Sequence, residues 1–549
     1  MKISLAQINY HIGNFESNTA KIVAAIEQAK TEGADLVVLA ELAVSGYPPR
    51  DFLEFDDFID RCYASVEEIV SHCQGIAAIV GSPTRREEIK GKDLHNSAIF
   101  LANGKIRAMA HKSLLPNYDI FDEYRYFESC RKFEVIEYMG KKIALTICED
   151  IWDIGEDPLY TISPMDELIK QKPDLMINIA ASPFDYEQAQ TRKSVILANV
   201  EKYKLPLFYV NHVGAQTELL FDGGSLVASP KGFIFDELDY FVEDQKLYLL
   251  DDVLAADLAE GKDPGGITTD RTALIHDALV MGVKNYFGKL GFGRAILGLS
   301  GGIDSAVTMV IATRALGPEN VRAVLLPSEF SSAHSIEDAR KLAENLGAPY
   351  DVIPIRDAFK QMENTLKPLF GDLPFNIAEE NIQARLRGLI LMALSNKFGH
   401  ILLNTSNKSE AAVGYSTLYG DMNGGISVLG DVYKTEVFRL ARYMNKDGEV
   451  IPENTIVKPP SAELRPEQKD TDSLPEYDIL DEILYQYIEK RKGPRELVQM
   501  GFEKTVVDRI LKLVNTSEYK RYQTPPILRV SSKAFGMGRR MPIVGKYLS

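Results

Sequence analysis

The alternation of hydrophobic and polar positions in the first 250 residues predicts many short β-strands with few helices between them. A helix is predicted over residues 18–30, where Ile22, Val23, Ile26 and Ala29 fall on one face. Apolar runs typical of strands occur at 1–10, 34–40, 76–81, 96–101, 142–147, 175–179 and 207–211. This succession of elements favours sheets packed on sheets, with helices outside.

The pattern changes after residue 250. Residues 251–268, DDVLAADLAEGKDPGGIT, are rich in Asp and Gly and predict a linker between a domain at 1–250 and a domain at 269–549. A helix (271–290), a strand (294–299), a glycine-rich turn, a helix (304–316) and a second strand (321–328) follow. Strand, turn, helix and strand form one βαβ unit, which predicts a doubly wound parallel sheet.

Composition narrows the class of protein. A chain of 549 residues needs more than one hydrophobic core, and 45% hydrophobic with 26% charged residues is ordinary for a globular protein. The net charge of −16 argues against nucleic acid or an anionic membrane as partner. We expect no signal peptide and no membrane span. The 4 cysteines have no CxxC spacing, which favours a reducing, cytoplasmic location.

The stretch LGLSGGIDSA, residues 297–306, is the turn of that βαβ unit. Glycines in such a turn let backbone N–H groups approach a phosphate at the helix N-terminus. Asp304 would repel a bare phosphate, but it becomes useful where Mg²⁺ joins carboxylate and phosphate. The turn therefore indicates a pyrophosphate site with a metal ion; the alternative is a tight turn with Asp304 as helix cap.

SGGIDS resembles the pyrophosphate loop of the N-type ATP pyrophosphatases. Downstream, NIQARLRG (381–388), the block at 404–425, DVYKTEVFRLARY (431–443) and KPPSAEL (458–464) resemble the NAD synthetase family. The resemblance implies ATP as co-substrate, bound by Gly298, Ser300, Gly301, Gly302, Asp304, Ser305, Thr405 and Lys434. It implies a site for nicotinic acid adenine dinucleotide made of Asn381, Arg385, Glu410, Asp421 and Lys533. Asp304 and Glu410 would hold Mg²⁺.

Some of these residues also have simpler interpretations. Arg385 and Arg387 fit a solvated helix face, and Glu410 fits a surface acid. Lys533, Arg539 and Arg540 fit either a phosphate contact or a solvated basic end. Their order along the chain, rather than any one of them, favours the ligand-binding interpretation.

In the first half, three reactive side chains follow predicted strands: Glu41, Lys112 and Cys148. We expect them to meet at one rim of a sheet, where a thiol attacks an amide, an acid moves the proton and an ammonium stabilises the oxyanion. Their order resembles the Glu-Lys-Cys triad of the nitrilase superfamily, which implies an α-β-β-α sandwich. His111 and His212 are the alternative, papain-type partners; we interpret them as ordinary hydrogen-bonded histidines.

The resemblance also implies a glutamine pocket made of Tyr118, Glu149, Trp152, Ser182 and Arg192. An amidase releases the ammonia that a ligase of this type consumes, which explains why both would occur on one chain. Together the halves resemble glutamine-dependent NAD synthetases, which implies small-molecule substrates, ammonia passed between the two sites, and a homo-oligomer. The alternatives are another amidotransferase, such as GMP or asparagine synthetase, whose glutaminases need a different cysteine setting, and a nitrilase-type amidase with a nucleotide-sensing second half.

Overall fold

The computed structural model describes residues 1–86, 90–155, 158–257, 270–466 and 468–548. The chain divides into two compact units, Met1–Thr269 and Asp270–Ser549. No helix in the described ranges is both long and apolar enough to cross a bilayer.

The first unit is built mainly of strands. Its elements are β1 (Lys2–Gln7), α1 (Phe15–Thr31), β2 (Leu36–Val38), α2 (Asp56–His72), β3 (Ala77–Arg85), β4 (Leu94–Ala102), β5 (Lys105–His111), α3 (Glu123–Tyr126), β6 (Ile136–Tyr138), β7 (Lys141–Ile147), α4 (Pro164–Leu168), β8 (Leu175–Ile179), α5 (Gln188–Tyr203), β9 (Leu207–Val210), β10 (Val213–Gln216), β11 (Leu219–Asp222), β12 (Leu226–Ser229), β13 (Phe233–Glu237), β14 (Asp244–Leu249) and α6 (Leu250–Ala255).

These strands form two 6-stranded sheets, in the orders β14-β1-β2-β3-β4-β5 and β13-β12-β9-β8-β7-β6, with β10 and β11 as a separate hairpin. Each sheet has a parallel centre and antiparallel rims. β1 faces β9 and β4 faces β7, whereas α1 and α2 contact the first sheet and α4, α5 and α6 contact the second. The predicted α-β-β-α sandwich is confirmed.

The second unit has a parallel sheet at its centre. Its elements are α7 (Arg271–Leu290), β15 (Ala295–Gly298), α8 (Ile303–Leu316), β16 (Val321–Leu325), α9 (Ala333–Leu346), β17 (Tyr350–Val352), α10 (Arg356–Phe370), α11 (Ile377–Phe398), β18 (Ile401–Asn404), α12 (Lys408–Val413), β19 (Ile426–Ser427), α13 (Lys434–Met444), α14 (Glu453–Val457), α15 (Tyr477–Ile488), α16 (Pro494–Gln499), α17 (Lys504–Thr516) and α18 (Glu518–Arg521).

The 5-stranded sheet has the order β17-β16-β15-β18-β19, and each neighbouring pair is parallel. α8 packs with α7 and α13, while Leu391 of α11 joins Ile296 and Leu402 of the sheet in one apolar cluster. The strand order reverses beside β15, and such a switch point opens a crevice at the carboxyl ends of the strands. The predicted doubly wound parallel sheet is confirmed.

The predicted linker, residues 251–268, is described only in part. α6 covers its first residues, because Leu250 and Val253 are buried and anchor this turn of helix. Residues 258–268 lie outside the described residues, and the domain boundaries at 250 and 269 stay a prediction.

Candidate active sites

Glu41 lies just beyond β2, in a segment of backbone that its neighbours hold tightly. A Cβ atom on Gly81 would lie 2.3 Å from the backbone nitrogen of Leu42, so side chains larger than glycine do not fit there. The Glu41 carboxylate is fully buried, and its Oε2 accepts a hydrogen bond from the backbone N–H of Ala181 at 2.9 Å. Ala181 follows β8 of the other sheet, so the glutamate is fixed from both sheets.

Lys112 directly follows β5, and its ammonium lies between two carboxylates. Its Nζ is 2.7 Å from Oε1 of Glu41 and 2.7 Å from Oε2 of Glu123, and its side chain is fully buried. Burial alone would lower the pKa of Lys112, but the charges of Glu123 and Glu41 outweigh it and raise that pKa well above its usual value. The lysine therefore stays a cation at neutral pH.

Glu123 is a member of this cluster that sequence reasoning missed. It opens the four-residue helix α3, a segment too short to show a hydrophobic period, and only its aromatic neighbours hint that it is buried. Its Oε1 accepts from the hydroxyl of Tyr47 at 2.9 Å. Burial raises the pKa of Glu123, and Lys112 opposes that shift.

Cys148 directly follows β7 and begins the 3-10 helix Cys148–Ile151. Its φ of 42° lies in the left-handed region, which is strained for a residue with a side chain and is found at functional sites. Burial and the charge of Glu41 raise the pKa of its thiol well above the usual value, while Lys112 acts in the opposite direction. The resting sulfur is therefore a neutral thiol that needs a base before it can attack.

Asp150 fixes the backbones of Lys112 and Cys148 relative to each other. Its Oδ1 accepts from the N–H groups of Ser113 at 3.0 Å and Leu114 at 2.9 Å. Its Oδ2 accepts from the N–H of Ile147 at 3.1 Å. The segment after β5 and the segment after β7 are thus joined by one buried carboxylate.

The expectation of a single sheet rim was wrong. Glu41 and Lys112 follow strands of one sheet, and Cys148 follows a strand of the other. The side chains meet because the two sheets face each other, a pairing that hydrophobic alternation along one strand does not encode.

Neither histidine has the geometry of a papain-type partner. Nε2 of His212 lies 2.5 Å from the carbonyl oxygen of Glu41, so it supports the backbone of that residue. Nδ1 of His111 lies 2.7 Å from Oγ of Ser97, and its ring stacks on His95 at 4.4 Å between centroids. Both are hydrogen-bonded histidines.

The residue after Cys148, Glu149, accepts hydrogen bonds from two tyrosines. Oε1 of Glu149 accepts from the hydroxyls of Tyr118 at 2.8 Å and Tyr160 at 3.2 Å. Burial raises the pKa of Glu149. Tyr160, which the sequence motifs did not single out, thus shares its acceptor with Tyr118. Trp152 ends this 3-10 turn and is half-buried.

In the second unit, the residues after β15 form a tight glycine-containing turn that leads into a helix. Gly301 has a φ of 80°, and a Cβ atom there would lie 2.1 Å from the carbonyl oxygen of Ser335. Oγ of Ser305 lies 3.1 Å from Oγ of Ser300, and Oγ of Ser300 accepts from the N–H of Gly302 at 3.1 Å. The turn runs into α8, whose N-terminus favours an anion.

Beside this turn, Lys434 lies between two carboxylates. Its Nζ is 2.5 Å from Oδ2 of Asp304 and 3.3 Å from Oε1 of Glu410. Asn407 links the same two acids, because its Nδ2 donates to Oδ1 of Asp304 at 2.8 Å and its Oδ1 accepts from the N–H of Glu410 at 2.9 Å. Burial raises the pKa of Glu410, and Lys434 opposes that shift.

Most of these groups line a cavity of about 320 Å³. Among the predicted residues, the cavity wall contains Gly298, Ser300, Gly302, Asp304, Ser305, Thr405, Glu410, Asp421 and Lys434. The switch point of the sheet therefore has phosphate-binding, acidic and cationic groups around one space.

Asp304 and Glu410 fit a divalent cation. Their oxygens converge on one cationic atom, the ammonium of Lys434, and carboxylates are the hard donors that Mg²⁺ prefers. Among the described residues, no group of three or more acidic, histidine or cysteine side chains could hold a metal ion. Phosphate oxygens and water would have to complete the coordination.

Comparisons with known proteins agree with both halves of this geometry. The family model for carbon-nitrogen hydrolases matches residues 2–259, and that for NAD synthase matches residues 275–524. The chain is 46% identical over 548 residues to the glutamine-dependent NAD(+) synthetase of Synechocystis sp., covering 98% of each chain. The chain belongs to the glutamine-dependent NAD(+) synthetase family.

Further relatives agree over the full length. The glutamine-dependent NAD(+) synthetase of Thermotoga maritima is 39% identical, with 100% of this chain and 99% of that protein covered. The structure of the glutamine-dependent NAD(+) synthetase of Acinetobacter baumannii, in complex with adenosine diphosphate, has a TM-score of 0.77 and 39% identity; 99% of this chain and 98% of that chain are covered.

In this member of the NAD synthetase family, Arg192 is not placed as a substrate ligand. It is 1% exposed, and its guanidinium donates to Oδ1 of Asp222 at 2.7 Å and to the carbonyl of Gly223 at 2.8 Å. The guanidinium is directed into the protein because the buried carboxylate of Asp222 requires a partner. Ser182 is buried, and its Oγ accepts from the side-chain amide of Gln188 at 3.3 Å.

The arginines of α11 are also placed differently from the expectation for this NAD synthetase family member. Arg387 lines the cavity, whereas Arg385 is exposed, lies outside the cavity wall, and donates to the carbonyl of Leu418 at 3.2 Å. The two residues lie on different faces because two positions on a helix are about 200° apart. Burial lowers the pKa of Arg387 to about 10, against the pull of Glu463 and Asp421.

The remaining predicted residues lie near the cavity but not on its wall. Oδ1 of Asn381 accepts from the hydroxyl of Thr417 at 2.7 Å, and the N–H of Thr417 donates to Oδ1 of Asp421 at 2.7 Å. Asn381 therefore contacts the segment that carries Asp421. The carbonyl of Lys533 accepts from the buried ammonium of Lys408 at 3.1 Å, which holds the C-terminal segment against α12.

Proposed function

We propose that the chain makes NAD from nicotinic acid adenine dinucleotide, ATP and glutamine, releasing AMP, pyrophosphate and glutamate. One observation carries this proposal: a buried Glu41–Lys112–Cys148 cluster and an acid-lined glycine-loop cavity occur on one chain. Its full-length likeness to glutamine-dependent NAD(+) synthetases supports the same reaction.

In the first unit, Cys148 is the nucleophile and Glu41 the base. Glu41 takes the thiol proton as sulfur attacks the amide carbon of glutamine, and Lys112 stabilises the oxyanion. The same proton leaves on ammonia when the carbon–nitrogen bond breaks. Water, activated by Glu41, then attacks the thioester, releasing glutamate and restoring the thiol. Tyr118, Tyr160 and Glu149 form the wall proposed to bind the amino end of glutamine.

We assign Arg192 a positioning role in place of substrate binding. Its bond to the carbonyl of Gly223 fixes the segment after β11. Ser182 remains the proposed contact to glutamine on this side of the pocket.

In the second unit, the substrate carboxylate attacks the α-phosphorus of ATP and pyrophosphate departs. The backbone N–H groups of the glycine loop and the ammonium of Lys434 bind the departing phosphates. Ammonia then attacks the acyl carbon, AMP leaves, and the amide of NAD is formed. Mg²⁺, held by Asp304 and Glu410, would neutralise phosphate charge. Arg387 and Asp421 are proposed to bind the dinucleotide.

The proposed setting is a reducing cytoplasm and a homo-oligomer. The four cysteines are all free and buried, which suits a reducing compartment. Large apolar side chains of α10, α11 and the segment between them are exposed, which suits contact with a second copy: Leu369, Leu373, Ile377 and Leu389. The net charge of −16 suits small-molecule partners better than nucleic acid.

NAD formation tests the proposal directly. Purified chain is mixed with the acid dinucleotide, ATP, Mg²⁺ and glutamine, and NAD is detected by absorbance through a coupled dehydrogenase. The proposal predicts NAD and glutamate in equal amounts. Glutamate without NAD would contradict it and would favour an amidase with a nucleotide-sensing second half.

A further inference from the structure

Two groups proposed to act on ATP stand at the starts of two separate helices. Glu410 lies in the first turn of α12, and Lys434 is the first residue of α13. The first N–H groups of a helix have no partner within it, so whatever accepts from them fixes where the helix begins. The placement of Glu410 and Lys434 therefore depends on how these two N-termini are held.

α13 is not capped by its own cap residue. Tyr433 contributes no side-chain hydrogen bond to the helix N-terminus. The N–H of Lys434 donates to Oγ of Ser409 at 2.9 Å, and the N–H of Thr435 donates to Oδ2 of Asp481 at 2.8 Å. Both acceptors belong to other helices, α12 and α15 respectively. The start of α13 is thus defined by tertiary contacts.

Asp481 joins the two acceptors. The hydroxyl of Ser409 donates to its Oδ1 at 2.5 Å, so one carboxylate holds the start of α13 directly and α12 through the residue next to Glu410. Ser409 and Asp481 are 0% and 5% exposed, so water does not compete for these bonds. A buried carboxylate is costly unless its oxygens are satisfied, and here each oxygen has a donor.

The tolerance of this arrangement is small. Lys434 lies 3.3 Å from Glu410 of α12 and 2.5 Å from Asp304 of α8, so a shift of α13 by about 1 Å would lengthen and weaken these contacts. Burial raises the pKa of Asp481 to about 6, and the donors from Ser409 and Thr435 oppose that shift. At neutral pH the carboxylate is charged and can accept both bonds.

We propose that Asp481 is a positioning residue of the ligase site: it holds the starts of α12 and α13 together, and so sets Lys434 against Glu410 and the phosphates of ATP. This inference rests on the proposed function. It predicts that the Asp481 carboxylate affects Mg²⁺–ATP use and the adenylylation rate, with no effect on glutamine hydrolysis in the first unit.

The test compares Asp481→Asn with Asp478→Asn in the full chain. Asparagine keeps the size of aspartate but turns an N–H₂ group toward one of the two donors. Asp478 is an exposed acid on the same helix, which makes it the matched control. Because a hydrogen bond to a charged group is lost, ATP–pyrophosphate exchange should fall in kcat by about tenfold or more in Asp481→Asn alone.

Two further readouts separate positioning from general stability. The Mg²⁺ concentration for half-maximal exchange should rise in Asp481→Asn, and glutamine hydrolysis without ATP should stay at the wild-type rate. A fall in both activities together would indicate loss of fold and would overturn the inference. Wild-type exchange kinetics in Asp481→Asn would overturn it too.

Ser409→Ala gives a second, independent test, since it removes the link between the carboxylate and α12 without altering a charge. It should lower kcat in the same direction, and the effect in Ser409→Ala/Asp481→Asn should be smaller than the product of the single effects. Fully multiplicative effects would overturn the inference. NAD formation from ammonia by the wild type is run alongside; its absence would overturn the proposed function instead.

Discussion

Both units place a lysine ammonium between two carboxylates, and the two sites differ in how closed they are. Lys112 lies between Glu41 and Glu123, where side-chain exposures are 0%, 0% and 6%. Lys434 lies between Asp304 and Glu410, where the acids are 17% and 18% exposed toward a cavity. The first, closed cluster is surrounded by protein, whereas the second, open cluster faces the cavity.

The difference in exposure between the two clusters matches the charge of the substrate proposed for each. An amide is neutral, so the glutaminase cluster needs a cation already in place for the oxyanion, and its carboxylates hold that cation permanently. ATP brings several negative charges. In the ligase cluster the carboxylates pair with Lys434. Under the proposed function they would hold Mg²⁺, and the ammonium would then be available to phosphate. The Lys112 cluster is thus a fixed arrangement, whereas the Lys434 cluster is proposed to exchange one ion pair for others.

A large effect is expected from a substitution in the open cluster around Lys434. Asp304→Asn removes one carboxylate charge next to Lys434, and we expect ATP–pyrophosphate exchange to fall by about 1000-fold. Glutamine hydrolysis without ATP should be unchanged, because Asp304 lies in the other unit. Asp357→Asn, an exposed acid of α10, is the control. Exchange at the wild-type rate in Asp304→Asn would mean that this acid does not contribute to binding the phosphates of ATP.

A substitution in the closed cluster around Lys112 should impair glutamine hydrolysis and spare the ligase reaction. Glu123→Gln leaves Lys112 with one carboxylate, so the ammonium is less firmly placed and glutamine hydrolysis should fall by about 100-fold. NAD formation with ammonia as nitrogen source should not change. Asp122→Asn, an exposed neighbour, is the control. If hydrolysis is unaffected, the second carboxylate is not needed and the comparison between the two lysines fails.

The smallest expected effect sharpens the outline of the cavity. Arg387→Lys removes a planar, bidentate donor from the cavity wall, and KM for the acid dinucleotide should rise by about tenfold. Arg385→Lys alters an exposed residue outside that wall and should leave KM near the wild-type value. If steady-state kinetics show a larger rise in KM for Arg385→Lys than for Arg387→Lys, Arg385 rather than Arg387 binds the dinucleotide.

Sequence reasoning reached the parts of these sites that sit on regular elements. Glu41 and Cys148 each follow a strand whose apolar run is visible in the sequence, and the glycine turn is specified by its position between β15 and α8. Lys112 follows β5, which is mostly exposed and has no apolar run. The packed sheets of the first unit and the parallel sheet of the second followed from the same patterns, since strand and helix periods determine which faces are buried. The α-β-β-α sandwich was implied by the resemblance to the nitrilase superfamily.

The parts that were missed depend on tertiary contacts. Glu123 begins a helix of four residues, so no periodicity marks it as buried. Asp481 looks like any acid of an amphipathic helix until α12 and α13 are packed on it. Arg192 matched a family expectation for its residue type, yet the buried Asp222 nearby takes its guanidinium. A motif indicates which side chain stands at a position, whereas tertiary packing determines which group that side chain contacts.

The central claim is that the closed cluster releases ammonia and the open cluster consumes it, which Cys148→Ala tests most directly. NAD formation by this variant is measured with glutamine and, separately, with ammonium chloride. We predict that the glutamine-driven rate falls by at least about 1000-fold, while the ammonia-driven rate stays within about twofold of wild type. Loss of both rates, or of neither, would contradict the division of labour between the two lysine sites.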